Sequence, residues 1–300
     1  MRRALALEDA LAFAARHPVG HLDASIRRRL LTQLTSAPQG TIVVGDARGA
    51  LLLVATVVDV IADRAAPAEL VILGARADLS SETFAEEVLG PAMAFARAVG
   101  RRALHLRRPA FGAGIGAGID AGIDAGIDAI LARAGFSLAY ETVFMRRTSA
   151  PLEVRAPALP PAWRWAPLDD ALVSSVHEAL VEIFLGAPST TIPPLAEFRR
   201  GAFASQPGWH VLLDGEALAG VVRLSAEGSS GEVRILGRRP AYRGRGLGAL
   251  LLDHGLRVLA GVGAGEITLE VAATNERALA LYRGFDFDVV ERSPTFGMAL

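Results

Sequence analysis

The stretch that decides the fold runs from Glu232 to Gly248, Glu-Val-Arg-Ile-Leu-Gly-Arg-Arg-Pro-Ala-Tyr-Arg-Gly-Arg-Gly-Leu-Gly, and leads without a linker into the apolar run Ala249 to Ala260. An extended segment, a glycine-rich turn and an amphipathic helix in direct succession make a phosphate-binding device. Glycines at 244, 246 and 248 let the backbone approach a ligand closely and adopt positive φ, so that successive N–H groups converge on one anion at the helix N-terminus. Arg243 and Arg245 add positive charge at the same place.

Three phosphate-binding devices compete for this pattern, beside a plain strand-to-helix turn with two solvated arginines. A Walker-type loop needs a Lys after its last Gly, and all 31 basic residues of this chain are Arg. Gly244-Arg-Gly246-Leu-Gly-Ala249 fits the dinucleotide pattern G-x-G-x-x-G/A, but that turn opens a fold with several more βα units behind it. Only about fifty residues follow here, which leaves an oxidoreductase as a distant third.

The third device carries a specific resemblance. Arg243-x-x-Gly246-x-Gly248 resembles the Q/R-x-x-G-x-G/A signature of the GNAT N-acetyltransferases, preceded by a Pro-x-Tyr-Arg-Gly run, Pro240-Ala-Tyr242-Arg243-Gly244. A strand-like segment, Glu266 to Val271, and then Asn275-x-x-Ala278-x-x-Leu281-Tyr282 are similar to the family's next two landmarks, in the same order. The resemblance is tight over residues 163 to 300 and faint before them.

Composition is that of a globular protein, with 51% apolar and 21% charged residues. A net charge of −1 argues against a nucleic-acid or membrane surface. The absence of Cys excludes disulfides, thiolate nucleophiles and thiolate metal sites, and is compatible with a cytoplasmic location. Glu8 and Asp9 interrupt the apolar N-terminal run before it reaches signal-peptide length. The longest apolar run, Ala50 to Val58, is too short to span a bilayer.

Residues 1 to 147 read as helix (about 8 to 17), helix (about 22 to 35), strand (41 to 45), strand (50 to 60), strand (69 to 74), helix (82 to 99) and strand (102 to 106). A last helix and strand follow from about 127 to 147. Residues 148 to 162, rich in Pro and Ala, read as a connector. The second half repeats the order. It gives a strand at 163 to 166, a helix at 170 to 184, a Pro-rich loop and helix over 185 to 205, and strands at 209 to 213, 217 to 225 and 231 to 237. A helix at 247 to 260, a strand at 266 to 272, a helix at 275 to 284 and a strand at 286 to 299 complete it.

That succession resembles two tandem GNAT-like domains of α/β (α+β) class, each a mixed twisted sheet flanked by helices, an arrangement similar to that of mycothiol synthase-type proteins. The expected domains are 1–147 and 163–300. The Gly-Ile-Asp-Ala repeat between Gly114 and Ala129 reads as an expanded loop leading into a helix. Asp120, Asp124 and Asp128, one turn apart, lack the convergent oxygens a Ca²⁺ site wants, so no metal is expected.

The resemblance implies acetyl-CoA as acyl donor and a small-molecule or protein amine as acceptor. It implies backbone N–H groups from Arg243, Gly244, Arg245, Gly246, Leu247 and Gly248 on the pyrophosphate, and an open strand edge at Leu236, Gly237 and Arg238 beside the pantetheine arm. Arg238 stands where the family usually has an apolar residue. Asn275 is a good N-cap and, by resemblance, a cofactor contact. Tyr282 is implied as general acid toward the CoA sulfur, and a packed aromatic is its other reading. Glu232 occupies the offset of the family's general base, and a solvated strand-edge acid is its other reading. Glu270 and His210 are reserves for the base. Asp286-Phe287 stands where the family usually has Gly-Phe, and Asp tolerates the left-handed conformation such a helix end needs.

The first half has no glycine between Ala75 and Phe84, and Leu131 stands where an acid Tyr would be, so it is expected to bind no CoA. The resemblance implies that the acceptor is chosen by the segment 185 to 206 together with the final strands and the other domain; Arg199 and Arg200 there read as a solvated helix face, with contact to an anionic acceptor as their other reading. The leading function is an N-acyltransferase acting as a monomer or homodimer, and the other is a non-catalytic acyl-CoA-binding module.

Overall fold

Short β-branched runs bounded by Gly, Pro and Asp set the strands, and the 3.6-residue spacing of Leu and Ala sets the helices. The computed structural model describes residues 41–45, 51–56, 67–75, 89–98, 100–107, 129, 131–148, 159–188, 192–203 and 206–300. The expected helices at 8–17 and 22–35, the repeat up to residue 128 and most of the connector lie outside the described residues.

In chain order the elements begin with β1 (Thr41–Gly45), β2 (Leu51–Thr56), β3 (Ala68–Ala75), α1 (Gly90–Ala98), β4 (Ala103–Arg107), β5 (Ser137–Thr148) and β6 (Trp163–Pro167). Next come α2 (Val173–Ile183), α3 (Leu195–Gly201), β7 (Pro207–Asp214), β8 (Ala217–Glu227) and β9 (Ser230–Arg238). After them stand α4 (Leu247–Gly261), β10 (Glu266–Ala272), α5 (Glu276–Arg283) and β11 (Asp288–Ala299). Most bounds agree with the sequence reading to within a few residues; of the helix expected at 82–99 the described part is Gly90–Ala98, residues 82–88 lying outside the described residues, and α3 starts only after Pro194, whose ring cannot sit inside a preceding turn.

The described residues divide into two compact units, one holding those up to Glu141 together with Ser293–Leu300, the other holding Thr142–Arg292. In the first unit β1, β2 and β3 pair antiparallel in succession, and β3 runs parallel to β4. The C-terminal strand closes that unit, pairing antiparallel with β4 from Thr295↔Arg107 to Ala299↔Ala103. Ala92 and Ala96 of α1 and Leu104 and Leu106 of β4 are fully buried, as is Leu131.

In the second unit the strand order is β5-β10-β9-β8-β7-β6. β6 to β9 form an antiparallel meander, β9 and β10 are parallel, and β10 pairs antiparallel with β5 over Thr142 to Thr148. A parallel pair needs a crossover, and α4 supplies it. One sheet face, with Val143, Val222, Leu224, Ile267 and Leu269, packs on Leu252, Leu256 and Leu259 of α4 and Leu279 of α5. The opposite face, with Trp209, Val211 and Val221, packs on Val173, Val176 and Leu180 of α2 and Phe198 of α3. No helix among the described residues is long and apolar enough to cross a membrane.

Candidate active site

β9 and β10 pair only from Ser230↔Glu266 to Val233↔Leu269, although β9 continues to Arg238 and β10 to Ala272. The cause lies on the other side of β9. Leu224 faces Val233 and Arg223 faces Ile235, so Arg234 is an extra residue, a β-bulge. The bulge turns the strand over: Val233 packs in the α4–α5 core, whereas Ile235 packs against the α2 core. Beyond it, Leu236, Gly237 and Arg238 keep their pairing with β8 and have an open edge toward β10. An extended amide-bearing arm can pair with such an edge as a strand would. Gly237 is required for packing, since a Cβ there would stand 2.8 Å from Ile183 Cγ2.

From that edge the chain passes through a 3₁₀ turn at Pro240–Tyr242 into the glycine loop. Gly244 and Gly246 have φ of +78° and +74°, and Gly246 is the left-handed N-cap of α4. The N–H groups of residues 244 to 248 make no backbone hydrogen bond among the described contacts, and the helix ladder starts with Ala249 N–H on the Gly246 carbonyl at 3.1 Å. Free N–H groups at a helix N-terminus with no acidic residue in its first turn fit a pyrophosphate. Leu247 is buried as the anchor of the turn, while Arg243 and Arg245 are exposed, Arg245 over the Tyr242 ring at 5.2 Å.

Arg238 gains a partner set that the sequence reading missed. Burial lowers its pKa, and so do the like charges of Arg243 and Arg277, each within electrostatic reach of Arg238. Arg277 belongs to the first turn of α5, capped by Asn275, whose Oδ1 accepts from Ala278 N–H at 3.2 Å. The spacing Asn275–Arg277 in a capped helix was the available signal.

Tyr282, on α5, is 7% exposed and packs at 6.0 Å from the Phe287 ring. Burial pushes its hydroxyl up to about 12. The ring is part of the core, and the hydroxyl stays protonated at any ordinary pH. α5 is joined to the loop by a close contact, a Cβ on Gly248 falling 3.2 Å from Leu281 Cδ2. The helix ends as the substitution of Asp for Gly allows, with Asp286 at φ +61° and Phe287 N–H on the Tyr282 carbonyl.

Glu232 is mostly buried and engaged on β9. Its Oε2 accepts from Arg234 Nε at 2.8 Å and from Ser225 Oγ at 3.3 Å. Ser225 is its register partner on β8. Of the reserves, Glu270 is exposed on β10. His210 points to the α4 side, where its Nδ1 meets His254 Nε2 at 3.0 Å. Arg199 and Arg200 are exposed on α3, Arg199 reaching Ser174 Oγ at 3.4 Å. Among the described residues no cluster of three potential metal ligands occurs.

With that geometry in view, the model of the acetyltransferase (GNAT) family matches residues 173–287. These residues form a GNAT domain. The chain is 35% identical over 169 residues to a mycothiol acetyltransferase of Kineococcus radiotolerans, covering 53% of this chain and 54% of that protein. It is 50% identical over 66 residues to the mycothiol acetyltransferase of Clavibacter michiganensis subsp. michiganensis, 22% of each chain. The matches thus span about half the length, or less, of these curated relatives. A GCN5-related N-acetyltransferase from Sphaerobacter thermophilus has the same GNAT fold, with a TM-score of 0.69 at 17% identity, covering 99% of this chain and 94% of that one. A tandem GNAT protein from the clavulanic acid biosynthesis pathway superposes with a TM-score of 0.63 at 17% identity over 97% of this chain and 93% of its own.

Proposed function

We propose that this chain is an acyl-CoA-dependent N-acyltransferase using acetyl-CoA, with one active site at the parting of β9 and β10. The observation that carries the reading is the conjunction of that open edge with the bare N–H groups of residues 244 to 248. The loop holds the pyrophosphate, Arg238, Arg243 and Arg277 add cationic charge beside it, and the edge at Leu236 to Arg238 takes the pantetheine amides. Asn275 fixes the helix that bears Tyr282.

The amine nitrogen attacks the thioester carbonyl and forms the C–N bond, its proton passes to Glu232 directly or through one water, and the C–S bond breaks. Tyr282 donates to the departing sulfur. With a hydroxyl at about 12 facing a thiolate of ordinary thiol pKa near ~8.5, full proton transfer is uphill by roughly 3 units, so Tyr282 acts chiefly as a fixed hydrogen-bond donor to the developing charge. The first unit serves as a scaffold without CoA.

The relatives' name makes the acceptor of mycothiol acetyltransferases the first amine to assay, and a cytoplasmic monomer or homodimer fits a cysteine-free chain. Incubating the full chain with acetyl-CoA and an amine panel, while following free thiol, tests the reading. Amine-dependent thiol release supports it. Acetyl-CoA binding without release for any amine would make the protein an acyl-CoA-binding module.

A further inference from the structure

Arg234 is the unmatched residue of the β9 bulge, and it sits immediately past the last β9–β10 pair, Val233↔Leu269. The pairing of β9 with β10 has ended there, although β10 continues to Ala272. Its Nε is spent on Glu232 Oε2 at 2.8 Å, yet its side chain is only 23% exposed and its Nη groups have no partner among the described residues. The Nη groups are not among the fully buried donors that lack a partner, so they are open to a ligand from solvent. The two Nη groups form a planar fork, matched to two oxygens of one oxyanion.

We propose that Arg234 reads an oxyanion carried by the acceptor itself, so that the substrate class is a small zwitterionic amine, an amino carboxylate or amino phosphate. The inference rests on the acyltransferase reading above. Because Glu232 and Arg234 touch, an amine at the first and an oxyanion at the second are separated by only a few bonds in one molecule. A lysine side chain of a protein carries no anion so near its amine, so a lysine acceptor does not satisfy both groups. The pair is neutral when the site is empty of acceptor and remains neutral when a zwitterion binds, so binding brings no uncompensated charge into the cleft.

The test compares matched amines on the full chain: β-alanine against propylamine, and O-phosphoethanolamine against ethanolamine. The anionic member of at least one pair is expected to be preferred by about tenfold or more in kcat/KM, the size of one charge-assisted hydrogen bond, and the preferred pair tells carboxylate from phosphate. Arg234→Gln should raise KM for the anionic amine by a similar factor and leave KM for the neutral one, and calorimetric acetyl-CoA affinity, unchanged. Arg234→Lys, which keeps the charge without the fork, should lie between. Equal kcat/KM within both pairs overturns the inference while leaving the acyltransferase reading intact. A fall in kcat alone, equal for both members, would make Arg234 only a positioning residue for Glu232. Absence of thiol release with every amine overturns both readings.

Discussion

Trp165 and His254 lie face to face, ring centroids 3.7 Å apart and planes 10° from parallel. The stack ties β6 to α4, and the His254 Nε2 to His210 Nδ1 contact at 3.0 Å ties α4 to β7. That hydrogen bond needs one ring nitrogen without a proton, so charging both imidazoles breaks it.

Acid sensitivity follows from that cluster. Burial and the proximity of His210 lower His254 to about 4, against the opposing pull of Asp253, and burial lowers His210 as well. The unfolded chain binds these protons at an ordinary pKa near 6.5, so it holds more protons than the folded chain between the two values. Stability therefore rises with pH across that window and is lost as pH falls from about 6.5 toward 4. Urea midpoints measured from pH 7 to 4.5 should fall accordingly. In His254→Phe, which keeps the stack and removes the charge, the slope should flatten, and an unchanged slope would assign it to other groups.

Gly246→Val tests the loop. At φ +74° a β-branched residue is strained by about 1–2 kcal/mol and reorients the N–H groups. Acetyl-CoA binding by calorimetry should vanish while the melting temperature drops by only a few degrees, and unchanged affinity would remove the CoA site from this loop.

Tyr282→Phe keeps the packing on Phe287 and removes the donor. Turnover should fall roughly 10²-fold or more with little change in acetyl-CoA affinity. Since the hydroxyl titrates only near 12, the wild-type rate should show no basic limb from this group below about pH 11. Full turnover in the variant would leave Tyr282 as packing only.

Glu232→Gln retains a side-chain oxygen for Arg234 Nε and Ser225 Oγ, so the strand should be undisturbed. If Glu232 takes the amine proton, the variant loses the acidic limb of the rate profile and about 10²-fold or more in kcat. A limb that persists would point to Glu270 or to a water acting with no single protein base.

One CoA per chain is expected. β3 ends at Ala75 and the sequence then runs to Phe84 without a glycine, so the close anion-binding turn is not available in the first half. Calorimetric stoichiometry should be near one, and a second saturable site that survives Gly246→Val would contradict it.

Much of this was legible in the sequence because the informative features are local. The glycine spacing after β9, the N-cap at Asn275 and the Asp at the left-handed position 286 each act within a few residues of chain, and each has the expected conformation. What stayed hidden depends on register or on distant partners. The bulge at Arg234 exists only relative to β8, and so the pairing that holds Glu232 could not be foreseen as a feature of the cleft. His210 read as a reserve base because its partner His254 is 44 residues away and could not be seen from the sequence. Arg277 drew no reading from the sequence because the group it acts on, Arg238, lies far from it along the chain.

The C-terminal strand has a consequence for how the protein is made. β4 is followed by some two hundred residues before Thr295–Ala299 arrives to pair with it. A ribosome delivers the N-terminal half first, and domains ordinarily fold in that order. Here the first unit's sheet waits for a strand far downstream in the chain, so during translation β4 presents an open edge. A message truncated before residue 293 leaves that edge exposed for good, even though all of Thr142–Arg292 has been translated.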